Sequence, residues 1–194
     1  AQLGSRRISH GAAVTDADYR ERYGPVALVT GASSGIGWAF AEELARRGFD
    51  LILTARRVER LEELAARLAE AHGVKSIVCG ADLSDPSAPE RIIEAAAGFD
   101  VGLLVSNAGF NMKGAFETKS ASSLTKLLMV NCHAPMQLAR GFIPRLKARG
   151  KSGIVFTSSV EGFMGNPYSA AYSASKALVN ALAEGLLGEL NDSG

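Results

Sequence analysis

Two tyrosines four residues apart, Tyr168 and Tyr172, stand in the stretch NPYSAAYSASK, and Lys176 follows the second at the same interval. A phenol works in catalysis only when something makes it more acidic: free tyrosine titrates near ~10, and efficient proton transfer wants a value near ~7. That gap is worth about 4 kcal/mol, more than one surface charge supplies and within reach of several acting in a dry site. Residues i and i+4 of a helix share a face, so an ammonium group stacks beside Tyr172 and not beside Tyr168. The pair alone is a common coincidence that an ordinary helix start would also produce. Other residues have to decide.

A second constellation is TGASSGIG at Thr30 to Gly37. Gly31, Gly35 and Gly37 permit a tight turn and a close backbone approach to a pyrophosphate, and the helix that follows points free N–H groups and its positive dipole end at such an anion. The spacing is GxxxGxG rather than the common GxGxxG. Gly31, Ser33, Ser34, Gly35, Ile36 and Gly37 are therefore candidate nucleotide contacts. About 20 positions on, where a carboxylate would take a ribose 2′-hydroxyl, the chain reads Thr54-Ala55-Arg56-Arg57. Two adjacent guanidinium groups suit a 2′-phosphate, which favours NADP(H) over NAD(H). Solvated arginines opening a helix are the plainer alternative.

These motifs need elements to hold them. Pro25 to Thr30, Asp50 to Thr54, Ser76 to Cys79, Val101 to Val105 and Gly153 to Thr157 are short apolar, β-branched runs, as buried parallel strands are. Between them, helical periodicity runs from Ile36 to Ala45, from Val58 to Leu68, from Pro86 to Ala97 and from Ser122 to about Leu146, and a last helix spans Tyr168 to Leu190. Thr15 to Tyr23 reads as a short leading helix capped by Thr15 or Asp16. Strands alternating with helices predict an α/β fold, a Rossmann-type doubly wound parallel sheet in the order 3-2-1-4-5. Residues 1–24 read as an N-terminal extension, with a tag remnant or a free arm at its start. Residues 25–194 read as one dinucleotide-binding catalytic domain. The pattern stops at Gly194, where another strand is due, so the far edge of the sheet and a substrate lid are expected beyond it. Pro135 lies four residues after Asn131 and cannot donate to its carbonyl, which predicts a kink near Asn131 to His133.

Composition sets the wider limits. The chain has 194 residues, 47% hydrophobic and 21% charged, with 21 glycines and a formal net charge of +1. That balance suits an ordinary globular α/β protein and gives no electrostatic reason to expect nucleic acid or an anionic membrane as partner. No apolar run approaches the ~20 residues of a membrane span. Cys79 and Cys132 sit in apolar segments without metal-ligand spacing, which fits buried thiols in a reducing compartment, and the expected setting is the cytoplasm. His10, His72 and His133 are scattered, so no metal site is expected.

TGASSGIG, Asp82-Leu83 after the third strand, Asn107-Ala108-Gly109 after the fourth and YSASK at Tyr172 to Lys176 stand in an order and spacing that resemble the short-chain dehydrogenase/reductase family. The resemblance covers roughly Val26 to Leu190. It implies that Asp82, with Leu83, holds the adenine end, and that Asn107, Ala108 and Gly109 steady the central strand beside the ribose. It implies a catalytic set of Asn131, Ser159, Tyr172 and Lys176. Ser159 polarises the substrate carbonyl from thirteen residues before Tyr172. Tyr172 gives or takes the proton, and Lys176 holds the nicotinamide ribose and makes the phenol more acidic. It further implies a water on the Asn131 carbonyl that links to Lys176, and a homodimer or homotetramer through the last two long helices.

Alternation along the fifth strand is expected to point Ser158 away from Ser159. Phe110, Asn111, Met112, Glu161, Gly162, Phe163 and Tyr168 are left as candidate walls of a substrate pocket. The expected function is an NADP(H)-dependent oxidoreductase that interconverts a carbonyl and a secondary alcohol. A cofactor-binding sensor or scaffold without turnover is the alternative, and an epimerase or dehydratase on a related fold a third.

Overall fold

The computed structural model describes residues 15–190; the start of the expected extension, His10 and Gly194 lie outside the described residues. Five strands, β1 (Val26–Thr30), β2 (Asp50–Ala55), β3 (Ser76–Gly80), β4 (Val101–Ser106) and β5 (Gly153–Phe156), form one parallel sheet in the order β3-β2-β1-β4-β5. This is the predicted order. β1 is central, with Val29 in register with Leu53 on one side and Val105 on the other. All five of its residues are buried, which explains why it reads as an unbroken apolar run.

Because side chains alternate along a strand, the sheet builds two cores. On one face Ala27, Val29, Leu51 and Leu53 pack with Ala41 and Leu44 of α2 (Gly35–Arg46) and Leu61 and Leu64 of α3 (Val58–His72). On the other, Leu28, Ile52 and Leu104 pack with Ile92 of α4 (Ala88–Ala95) and Leu138 and Phe142 of α6 (Ala134–Arg149). Each large side chain fully buried in this way stabilises the fold by about 1.5–3 kcal/mol. The leading helix α1 (Asp16–Tyr23) is present, with Thr15 and Asp18 closing a reciprocal capping box.

The break expected near Asn131 to His133 is present, and three other local features differ from the sequence reading. The helix expected over residues 122–146 is divided into α5 (Ala121–Leu128), one π-helical turn (Met129–His133) and α6, and the Ala134 N–H reaches back to Met129 O. The disruption falls where Pro135 withholds its hydrogen bond. The last helix, α7 (Ala170–Leu190), starts after Tyr168, whose φ of 63° is left-handed, so the two tyrosines do not share a helix. Ile36, read as the first residue of a buried stripe, is 61% exposed at the start of α2. Short 3-10 turns at Phe116–Thr118 and Val160–Gly162 have no periodic signal at that length and were not foreseen.

Candidate active site

The C-terminal ends of β1, β2, β4 and β5 open onto one cleft of about 460 Å³, where an open parallel sheet changes winding direction and ligands bind. Thr30 ends β1, and its hydroxyl accepts the N–H groups of both Asn107 and Ala108 at 2.9 Å. The Asn107 amide donates to the Thr30 carbonyl at 3.0 Å and accepts from the Thr157 hydroxyl at 3.1 Å. Asn107 thus ties β1, β4 and β5 together at the cleft. Gly31 and Gly35 adopt φ values of 69° and 58°, which side chains rarely allow. At Gly37 a Cβ would lie 2.3 Å from the Gly31 carbonyl and 2.5 Å from Asn107 Nδ2, so only glycine lets α2 seat against this knot.

Gly31, Ser33, Ser34 and Ile36 line the cleft at the start of α2, and Arg56, Arg57, Asp82 and Leu83 line it from the ends of β2 and β3. Arg57 does more than point into solvent: one guanidinium nitrogen donates to Ser33 Oγ at 3.1 Å and Ser34 Oγ at 2.9 Å. At Asp82 burial works to raise the carboxyl pKa. The Ser84 N–H at 3.0 Å, the Ser84 hydroxyl at 2.8 Å and the nearby Arg56 and Lys126 charges outweigh it and hold the group below its usual value.

At the other end stand Tyr172 and Lys176, one helical turn apart on α7, with Lys176 Nζ 5.7 Å from the centre of the Tyr172 ring. Lys176 is 4% exposed and donates to the Thr157 carbonyl at 2.6 Å. Burial pushes its pKa below the ordinary lysine value, an effect the neighbouring Cys132 opposes. The same burial raises the Cys132 thiol, which Lys176 in turn lowers. A Cβ on Gly109 would lie 3.3 Å from Asn131 Oδ1 and 3.4 Å from Lys176 Nζ, so this glycine leaves both groups their space. Asn131 is buried in the π turn with its side chain fully engaged. It accepts from Phe110 N–H at 3.1 Å and donates to Phe110 O and Ser175 Oγ, each at 3.0 Å.

Ser159 precedes the 3-10 turn, and its hydroxyl accepts the Glu161 N–H at 3.2 Å, which leaves its own proton available. Against the alternation expected along the strand, it is Ser158 and not Ser159 that lines the cleft, because β5 ends at Phe156 and the two serines follow it outside the strand. The Ser158 hydroxyl donates to the Lys176 carbonyl at 3.3 Å. Of the expected pocket walls, Phe110 and Asn111 line the cleft. Phe163 and Tyr168 are mostly exposed. Sequence reasoning gave no role to Thr30, Thr157 or Ser175. The available signal was position: a hydroxyl residue ending the first strand, another ending the fifth, and one three residues after Tyr172.

The buried ammonium makes a pH prediction. In the window between the lowered folded pKa of Lys176 and the ordinary lysine value of about 10.4, the unfolded chain holds the proton more tightly. Stability therefore rises with pH through that window, by at most about 1.4 kcal/mol per pH unit, and the cost of burying the charge is fully present below it. Chemical denaturation across the alkaline range is expected to show wild type gaining on Lys176→Met as pH rises. Parallel pH dependences would contradict this.

A family profile described as short chain dehydrogenase matches residues 25–194. Among curated proteins, the chain is 36% identical over 169 residues to a 7beta-hydroxysteroid dehydrogenase of Clostridium sardiniense, covering 87% of this chain and 65% of that protein. Among solved structures, it is 40% identical to a bulky-bulky ketone specific alcohol dehydrogenase from Comamonas testosteroni, with a TM-score of 0.84 over 89% of this chain and 70% of that one. It is also 40% identical to a short-chain dehydrogenase from Sphingobium yanoikuyae in complex with NADPH, with a TM-score of 0.84 over 88% and 67%. The chain spans about half to two thirds of the length of the curated relatives it matches.

Proposed function

Because the chain belongs to the short-chain dehydrogenase/reductase family, we propose that residues 25–194 act as a dinucleotide-binding catalytic domain, in an NADP(H)-dependent oxidoreductase that interconverts a carbonyl and a secondary alcohol. The observation that carries this reading is a single cleft lined at one end by the glycine loop and Arg56–Arg57, and at the other by Tyr172 and Lys176. The cradle fits the cofactor: Gly31 and Gly35 in left-handed turns at the start of α2, two guanidinium groups for a 2′-phosphate, and Lys176 for the far ribose. Gly31, Ser33, Ser34, Gly35, Ile36 and Gly37 would hold the phosphates, Asp82 and Leu83 the adenine, and Asn107 to Gly109 the ribose side.

When bound, NADP(H) supplies or receives the hydride. The protein's own work is with the oxygen. Reduction leaves an alkoxide, which needs hydrogen-bond donors and a proton where the charge develops. Tyr172 is the group that gives that proton, and takes it back in the oxidative direction. Ser159, whose hydroxyl accepts the Glu161 N–H and keeps its own proton, would donate to the same oxygen. Lys176 lowers the cost of a phenolate by its charge. The Asn131 carbonyl, which Pro135 cannot engage, would hold a water leading to Lys176 and return protons to the site.

The exposed side chains of Val160, Phe163, Met164 and Tyr168, in the segment between Ser159 and Tyr172, favour a bulky apolar substrate. A homodimer or homotetramer belongs to the same proposal, supported by the apolar side chains that Leu128, Met136 and Leu187 expose on α5, α6 and α7. The test is a panel of aryl and alicyclic ketones with the full-length protein, following NADPH consumption optically. Turnover of panel members, with NADPH preferred to NADH, is the expected result. Tight NADPH binding with no turnover of any member would favour the sensor reading instead.

A further inference from the structure

The 3-10 turn between Ser159 and Tyr172 carries a carboxylate that the proposed chemistry does not use. Glu161 lies two residues after Ser159, and its N–H is the group that Ser159 Oγ accepts at 3.2 Å. Its side chain turns the other way, towards the start of α7. There Glu161 Oε2 lies 3.2 Å from the hydroxyl of Ser173, the residue directly after Tyr172. Ser173 is buried, accepts the Asn166 N–H at 3.2 Å and lies 3.2 Å from the Ser169 carbonyl, closing the first turn of α7 on itself. Ser169, also buried, contacts Asn111 Oδ1 at 3.1 Å, which brings in the loop after β4. Polar groups at the start of α7, Ser169 first and then Asn166 and Ser173, outweigh the opposing effect of burial and hold the carboxyl pKa below its usual value. The Ser169 proton itself is directed to Asn111 Oδ1, so the direct contact to the carboxylate is that of Ser173.

The turn is seated by backbone contact as well. A Cβ on Gly162 would lie 2.9 Å from the Lys176 carbonyl and 2.7 Å from Asn180 Nδ2, so the turn can lie directly on α7 only with glycine there. Ser158 donates to that same Lys176 carbonyl. One short turn therefore touches the segment bearing Ser159 through its backbone and the helix bearing Tyr172 and Lys176 through a charged side chain. The Ser173 hydroxyl has one proton and two acceptors at 3.2 Å, Glu161 Oε2 and the Ser169 carbonyl, and the charged carboxylate is the stronger of the two.

We propose that Glu161 is a positioning residue: through Ser173 it fixes the first turn of α7, and with it Tyr172, relative to Ser159. The proposal rests on the reaction given above. Its consequence is specific to the reacting oxygen, because two donors reach one atom only if their segments are held in mutual register, and small misplacements reduce the rate sharply. Cofactor binding, which is assigned to the opposite end of the cleft and to Lys176, is not expected to follow.

The experiment compares Glu161→Ala, Glu161→Gln and Ser173→Ala in the full-length protein. It uses the ketone panel with NADPH, a separate titration of NADPH affinity, thermal unfolding, and hydrogen exchange over Ala170 to Ser175. Glu161→Ala is expected to lower kcat by about ten- to a hundredfold with NADPH affinity within twofold of wild type. It is also expected to speed exchange in the first turn of α7 and not in the strands. Glu161→Gln, which can still accept from Ser173, is expected to recover most of kcat. Ser173→Ala is expected to resemble Glu161→Ala, with the double variant no worse than either single one.

A kcat within twofold of wild type in Glu161→Ala would overturn the proposal. So would a loss of kcat accompanied by equal losses in NADPH affinity and thermal stability. If the wild type reduces no ketone, the oxidoreductase reading fails first, and exchange then separates the two. Unchanged exchange would remove the strut itself. Faster exchange would leave a packing contact with no part in a reaction, and the positioning role would be overturned.

Discussion

Replacing Tyr172 by phenylalanine is expected to abolish ketone reduction while leaving NADPH affinity within a few-fold of wild type. The substitution removes one oxygen from a half-buried side chain at the cleft wall and leaves the ring that stands beside Lys176 Nζ. The residues assigned to the cofactor, the glycine loop, Arg56, Arg57 and Lys176, keep their places. What disappears is the proton for the developing alkoxide, and a positioned acid–base group contributes typically 10²–10⁴-fold. Lys176 keeps its place through the bond to the Thr157 carbonyl at 2.6 Å, so the variant tests the phenol alone. The measurement is single-turnover NADPH oxidation alongside an equilibrium titration of NADPH. Activity near wild type would remove Tyr172 from its assigned role, and a parallel collapse of NADPH binding would make its role one of cofactor contact.

The second large effect concerns cofactor choice. Changing Ala55 to Asp and Arg56 to Gln together is expected to weaken NADPH by about ten- to a hundredfold and to move the preference towards NADH. Each charge-assisted hydrogen bond to the phosphate is worth about 1.5–3 kcal/mol, and a carboxylate at the end of β2 would repel a 2′-phosphate while accepting from a 2′-hydroxyl. The two arginines are not equivalent in this. Arg57 bridges to Ser33 and Ser34, so removing it would also disturb the glycine loop, whereas Arg56 lines the cleft and acts on Asp82 through its charge. Arg56 is therefore the cleaner position to change. Equal NADPH affinity in the wild type and the double variant would rule out this account of the preference.

The sheet and its order were legible because buried parallel strands must be apolar on both faces, and VALVT and DLILT are. The π turn was legible for a covalent reason: proline has no N–H, wherever it is folded. Helix arithmetic brought Tyr172 and Lys176 together, but it gave Tyr168 a helical conformation that its φ of 63° denies. Ile36 shows the limit of periodicity at a helix start, where the first turn overhangs the cleft and has no layer to pack against. Roles for Asp82, Asn131 and Ser159 came from family resemblance and not from their spacing. Interactions between distant segments were invisible, since neither the Arg57 bridge to two serines nor the Glu161 approach to Ser173 leaves a mark in the order of residues.

The Arg57 bridge has a further consequence, in entropy rather than interaction energy. A free arginine side chain carries about 2 kcal/mol of rotamer freedom, which a ligand must suppress to use the guanidinium group. Here the Ser33 and Ser34 hydroxyls already restrict that freedom when the chain folds. A phosphate arriving at this end of the cleft would meet an oriented cation and would have to order less of the protein. The two serines would then strengthen binding by narrowing the ensemble of the empty cleft, whether or not they touch the phosphate themselves. Calorimetry would register such a contribution mainly as a less unfavourable entropy of association.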